Sequence, residues 1–244
     1  MRVGVEVTTV WTGPEAPRRV DALAVADHPD PVGWLALLDT RPDDDEAGDG
    51  RLGLHGRVHT QVVAGEPVVV VAEHPSGWVE VVLPWQPASE DPRGYPGWVR
   101  RAHLLRDDVS RAERRPEPLD PPVPGVLELA REHLGLRYLW GGTSHLGYDC
   151  SGLVHHVWRE LGVVVPRDAD VQHTACQPVE LGDEQPGDLY FFARPGRPIH
   201  HVGIVVEPGV MIHASETGGW LVEEPLSPAR LETRYAAGRL PFIG

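Results

Sequence analysis

Cysteine is nearly absent: Cys150 and Cys176 are the only two in 244 residues. A small secreted scaffold stapled by disulfides needs more than one pair, so that class is excluded, and a Cys150–Cys176 bridge is not expected. Positive charge is also scarce, with 22 basic against 36 acidic residues and a net charge of −14. A surface this acidic repels phosphate backbones and anionic lipid, so no nucleic-acid partner is expected. No apolar run approaches the ~20 residues that cross a bilayer, so no membrane insertion is expected either. The first residues, Met1 to Glu6, carry one positive charge and no apolar run of leader length. The expectation is a cytoplasmic protein. Part of the acidic excess is one run, Asp43, Asp44, Asp45, Glu46 and Asp49. Its spacing encloses no cation, so it reads as a solvated loop.

Turn formers, by contrast, are plentiful: 27 Gly and 25 Pro beside an ordinary 41% of hydrophobic residues. That mix favours short elements and many loops, hence β-rich or α+β structure in two domains. The boundary is marked by Pro116, Pro118, Pro121, Pro122 and Pro124, a stiff, extended linker over 107–124. Residues 1–106 precede it, with strand-like runs at 3–10, 67–73 and 78–83. The valine run 68–71 reads as a buried strand, and His74-Pro75-Ser76-Gly77 as a hairpin turn. A short helix over 34–38 comes just before the acidic loop. The expected architecture is a small β-barrel with a helical and acidic-loop insertion.

Residues 125–244 read differently. Val126, Leu129, Ala130, His133 and Leu134 predict a helix stopped by Gly135. A second helix is predicted from Cys150 to Leu161, with Val154, Val157, Trp158 and Leu161 as its apolar stripe and Gly162 as its stop. Strand-like runs follow at 188–192, 200–206, 210–214 and 220–223. Helices first and an antiparallel sheet after them is an α+β order.

Chemistry concentrates in this second part. Cys150 stands where a long loop enters a helix, directly after Asp149, a favoured N-cap residue. The free N–H groups and positive dipole end there favour thiolate over thiol, and could also stabilise an oxyanion. By position alone, an inert buried cysteine is an equal reading. Two histidines shift the balance. Period-two alternation puts His201 on the face of Gly203 and Val205, opposite His200, and the glycine leaves room beside the imidazole. His213 follows in the next strand after a turn at Glu207-Pro208-Gly209, where a hairpin brings it beside His201. A bulge would reverse the parity and substitute His200. Zinc is disfavoured because the adjacent His200 and His201 point to opposite faces, and no cofactor is expected.

The stretch from Tyr138-Leu139-Trp140-Gly141-Gly142 through Gly147-Tyr148-Asp149-Cys150-Ser151-Gly152 resembles the NlpC-type cysteine peptidases of bacterial cell-wall metabolism. The resemblance continues through Pro166-Arg167-Asp168-Ala169 with Gln172, Pro186-Gly187-Asp188-Leu189, His201-Val202-Gly203-Ile204 and His213-Ala214-Ser215. It implies a papain-like α+β fold with the helix-borne cysteine packed on an antiparallel sheet. It also implies that Cys150 attacks, His201 serves as base and acid, His213 orients His201, and Tyr138 contributes to the oxyanion hole. Asp149, Ser151 and Trp140 would bind a stem peptide of peptidoglycan, cleaved between γ-linked D-glutamate and a diamino acid. Gly65-Glu66-Pro67-Val68 and Gly94-Tyr95-Pro96-Gly97-Trp98 are similar to the bacterial Src-homology-type barrel of one subgroup. By that resemblance, Glu66 and Tyr95 would grip the ammonium of an N-terminal L-alanine, which suits a role in recycling.

This chain departs from the subgroup at Ala169, where a serine is frequent, and it has no room for a second small barrel. The expected activity is therefore that of a γ-D-glutamyl-diamino-acid endopeptidase. Two rivals remain: an amidase or acyltransferase on the same fold, and a non-catalytic module that binds wall peptides. Lipid-handling relatives tend to place the histidine before the cysteine, whereas Cys150 precedes His201. A binding module would be expected to have lost the nucleophile or the base.

Overall fold

The computed structural model describes residues 1–41, 48–106 and 123–240. The acidic residues 43–46 and the proline-rich stretch 107–122 lie outside the described residues. The chain forms two compact units, Met1–Arg114 with Leu139–Leu146, and Arg115–Tyr138 with Gly147–Gly244. Leu139–Leu146 joins the first unit although it follows the proline-rich stretch. Its anchor is Leu139, 1% exposed in a cluster with Trp11, Trp34, Leu54 and Val58.

In the first unit, β1 (Val7–Trp11), β2 (Val58–Val63), β3 (Val69–His74), β4 (Trp78–Leu83) and β5 (Tyr95–Arg100) pair antiparallel in the order β2-β1-β5-β4-β3. Only Trp11 and Trp98 join β1 to β5, and no pairing between the edge strands β2 and β3 closes the sheet among the described residues. Helix α1 (Pro31–Leu38) inserts as expected: Asp30 caps it through Gly33 N–H at 2.8 Å, proline opens it, and Trp34, Leu35 and Leu38 are buried.

Two expectations for this unit change. The valine run is no buried strand: β3 is a sheet edge, and Val69 and Val71 are 44% and 46% exposed. The run at 3–10 divides, because Arg2–Val3 pairs separately with Leu104–Leu105 and β1 begins only at Val7. Strand β5 went unread because Pro96 and Gly97 look like a turn. Yet a Cβ on Gly97 would collide with Val10, so the glycine lets neighbouring strands approach.

The second unit opens with α2 (Val123–Glu132), which buries Val126, Leu127 and Ala130, while Leu134 beyond its end stays exposed. Helix α3 (Cys150–Glu160) buries Leu153, Val154, Val157 and Trp158, the i, i+3, i+4 stripe, and Gly162 ends it in the left-handed region at φ 79°. Helix α4 is Ala169–Ala175. The sheet comprises β6 (Gln177–Val179), β7 (Leu189–Ala193), β8 (Ile199–Glu207), β9 (Val210–Ser215), β10 (Trp220–Pro225) and β11 (Arg234–Arg239). Helix α5 (Pro228–Thr233) comes between the last two. All six strands pair antiparallel in the order β6-β11-β7-β8-β9-β10, and α3 packs against β8 and β9. Mixed α and β structure with antiparallel sheets is thus present in the order expected.

Candidate active site

Cys150 is the first residue of α3. Asp149 precedes it in extended backbone, and its Oδ1 accepts the Gly152 N–H at 2.7 Å, the geometry of an N-cap. The thiol lies where the backbone amides of Val202 and Ser151 can donate to it, so the helix start faces strand β8 one residue from His201. Burial pushes the Cys150 thiol up to about 12, helped by the Asp149 carboxylate; the two amides and Arg167 pull weakly the other way. Desolvation thus opposes the helix-end effect at this sulfur and favours the thiol form.

His201 is 3% exposed and its neighbour His200 is exposed, so the strand turns the former inward. Gly203 follows on the same face, where a Cβ would meet Met211 Sδ at 2.5 Å and His213 Cβ at 3.2 Å. The glycine lets β9 bring His213 alongside. His201 Nε2 lies 2.8 Å from His213 Nδ1, and His213 Nε2 lies 3.1 Å from Glu224 Oε1 on β10. A carboxylate only accepts, so His213 Nε2 donates to Glu224 and His213 Nδ1 accepts from His201 Nε2. That leaves the lone pair on His201 Nδ1, the atom a base needs. Burial pulls both imidazoles below the ordinary histidine value; for His213 the Glu224 carboxylate opposes this.

Tyr138 is 8% exposed in the same unit, its amide donating to Gly219 O at 2.9 Å. Burial above all pushes its phenol well above 10, so it is a proton-bearing donor, and Cys150 is near enough to act on it. Asp149 and Ser151 are already engaged. Arg167, 1% exposed, donates to Asp149 Oδ1 and Oδ2 at 3.0 and 2.6 Å and to Ser151 Oγ at 2.9 Å.

The other expected binding residues belong to the first unit. Glu66 is 2% exposed, and its Oε1 accepts the Val63 N–H at 3.1 Å. Tyr95 begins β5 and meets His59 edge-on at 5.7 Å between ring centroids. The Trp140 indole N–H donates to Val58 O at 2.9 Å, with the His55 ring 4.0 Å away. Two residues of the second unit were missed. Arg167 carries no local signal of its role, because its partners Asp149 and Ser151 lie 18 and 16 residues back along the chain. Glu224 has no sequence signal, because only the β9–β10 register brings it to His213.

Both cysteines are free, and the described residues contain no group of three His, Cys, Asp or Glu that could hold a metal ion. A cysteine on a helix end, a neutral buried imidazole and a second imidazole that fixes its tautomer are the parts of a thiol acyl-transfer centre.

The comparisons with known proteins agree with that class. Residues 135–239 match the NlpC/P60 family. The chain is 32% identical over 271 residues to a gamma-D-glutamyl-L-lysine dipeptidyl-peptidase of Bacillus subtilis, covering 87% of this chain and 88% of the relative. A protein of the same name from Bacillus cereus is 25% identical, with 97% and 89% covered. A crystal structure of an NlpC/P60 family protein from Bacillus cereus superposes with a TM-score of 0.85 at 24% identity, over 98% of this chain and 99% of that one. The chain belongs to the NlpC/P60 family of cysteine peptidases, and it is a hydrolase.

Proposed function

We propose that this protein hydrolyses the γ-D-glutamyl-diamino-acid bond of peptidoglycan stem peptides, acting on short fragments with a free N-terminal L-alanine. The observation that carries the reading is the relay His201, His213, Glu224, with His201 next to Val202, whose amide reaches the Cys150 sulfur; the names of the two Bacillus relatives support it. As the Cys150 sulfur attacks the γ-carbonyl carbon, its proton passes to His201 Nδ1. The oxyanion is held by the amide at the helix start and the Tyr138 hydroxyl. Collapse breaks the C–N bond, and His201 gives its proton to the departing amine. Water, deprotonated by the same imidazole, then cleaves the thioester and releases L-Ala-γ-D-Glu.

In this reading the first unit is a bacterial Src-homology-type barrel module whose Glu66 and Tyr95 accept hydrogen bonds from the alanine ammonium. Trp140 would line the same peptide's path, and residues 107–124 would link the two modules. The role would be recycling of wall fragments in the cytoplasm.

The test is mass-spectrometric product analysis with L-Ala-γ-D-Glu-meso-diaminopimelate and its N-acetylated form, with Cys150→Ser as blank. Cleavage of the free amine alone is expected. Equal cleavage of both would keep the peptidase and remove the ammonium grip, and with it the recycling role.

A second expectation concerns Glu224. Its hydrogen bond and charge raise the His213 pKa, so Glu224→Gln should lower that pKa. The acid limb of the kcat profile should then move to lower pH, with kcat falling roughly 3- to 10-fold as the tautomer loosens. An unmoved limb would show that Glu224 does not act through His213.

A further inference from the structure

Arg230 is the residue near the thiol whose charge remains unused. It stands on α5, where Pro228 opens the helix and Ser227 Oγ accepts the Arg230 amide at 3.3 Å, fixing the backbone. Its guanidinium carbon sits 5.3 Å from the centroid of the Phe192 ring. Phe192 is fully buried, faces His201 across the β7–β8 ladder, and has its ring 5.6 Å from that imidazole. Arg230 is thus tied through one aromatic ring to the imidazole of the proposed base.

No carboxylate of the described residues comes within 4 Å of this guanidinium, and its side chain makes no hydrogen bond among them. Arg167, the buried arginine beside Cys150, is paired with Asp149. Arg230 is half-buried, and Cys150, Glu224 and Glu216 lie near enough to act on it electrostatically without touching it. Glu224 is already committed to His213. In a chain with 36 acidic residues, a cation half-withdrawn from water without a paired carboxylate is open to an anionic ligand.

The side of the site it occupies follows from the chemistry. His201 must face the scissile nitrogen to protonate the departing amine, so whatever lies beyond that nitrogen passes the His201 side of the sulfur. Phe192 adjoins His201, and Arg230 adjoins Phe192. A planar guanidinium braced on an aromatic ring presents its N–H fork to a carboxylate. Resting on the peptidase reading above, we propose that Arg230 receives a carboxylate of the leaving diamino acid and makes the enzyme select leaving groups that carry one there. Two carboxylates share that chemistry: the α-carboxylate of a terminal diamino acid, and the second carboxylate that meso-diaminopimelate carries and lysine lacks.

The experiment compares kcat/KM for L-Ala-γ-D-Glu joined to L-lysine, to L-lysine amide and to meso-diaminopimelate, using wild type, Arg230→Gln and Arg230→Lys. A fourth substrate replaces D-glutamate by D-isoglutamine. A charge-assisted contact predicts that wild type prefers the acid over its counterpart by about 10- to 100-fold. Arg230→Gln should bring that ratio close to one, and Arg230→Lys should keep part of it. Preference for lysine over lysine amide identifies the α-carboxylate; preference for diaminopimelate over both identifies the second one. Ratios unaltered by Arg230→Gln overturn the proposal, as does a penalty that depends on the D-glutamate carboxylate instead. If wild type cleaves none of the four, the peptidase reading fails and takes this proposal with it.

Discussion

His201→Ala is expected to lower kcat by about 10⁴- to 10⁶-fold while KM stays within a few-fold, and Cys150→Ser should do the same. The magnitude follows from the protonation states. With the thiol pushed up to about 12 and the imidazole pulled below its ordinary value, both shifts favour a neutral resting pair at pH 7. The sulfur then becomes a nucleophile only if a base removes its proton during attack, so loss of either partner removes the whole step. The pH profile carries the sign. The imidazole must be unprotonated to act, and its pKa lies below 6.5, so activity should fall only in acid below that value. It should then hold a plateau to pH 9. A resting thiolate–imidazolium pair would behave otherwise, losing activity between pH 7 and 9 as the imidazolium deprotonates. A kcat/KM titration from pH 4 to 10 separates the two, and an alkaline limb in that window would sink the neutral pair.

Most of the second unit was legible because its signals are local. Asp149 before Cys150, four apolar residues at helical spacing and a following Gly162 specify α3 without tertiary information. Alternation in β8 picks out His201, and the glycine at 203 implies a close neighbour. What stayed hidden depends on partners far along the chain. Helix α5 has no buried residue and therefore no apolar stripe, and β11 carries Arg, Gly and Ala where strand formers are expected. Glu224 becomes a partner of His213 only through strand register. The valine run misled for the same reason: four valines in a row state a strand but not whether another strand or open solvent lies beside it. At the thiol two effects oppose each other: a helix end contributes about 0.3–2 kcal/mol towards thiolate, and burial favours the neutral form.

Asp149→Ala is expected to destabilise the second unit by about 3–5 kcal/mol, a large part of the 5–15 kcal/mol that holds an ordinary domain folded. The carboxylate does two jobs at once. Oδ1 takes the Gly152 N–H at 2.7 Å, and both oxygens take the Arg167 guanidinium, which is 1% exposed. Losing the cap alone costs about 1 kcal/mol. Stranding a buried guanidinium accounts for the rest, because the desolvation of Arg167 is then uncompensated. Asp149→Asn keeps an acceptor for the cap and one for Arg167 but drops the charge, so it should lie roughly midway between wild type and the alanine variant. Replacing both partners, as in Asp149→Asn with Arg167→Met, should recover part of the loss, since no buried charge is left unpaired. Denaturant unfolding of wild type, Asp149→Ala, Asp149→Asn, Arg167→Met and the double variant decides the matter. If the double variant is as unstable as the two single losses added together, the pair is not coupled. Asp149 would then be free to face substrate, as the resemblance implied, rather than to hold the cysteine's helix in place.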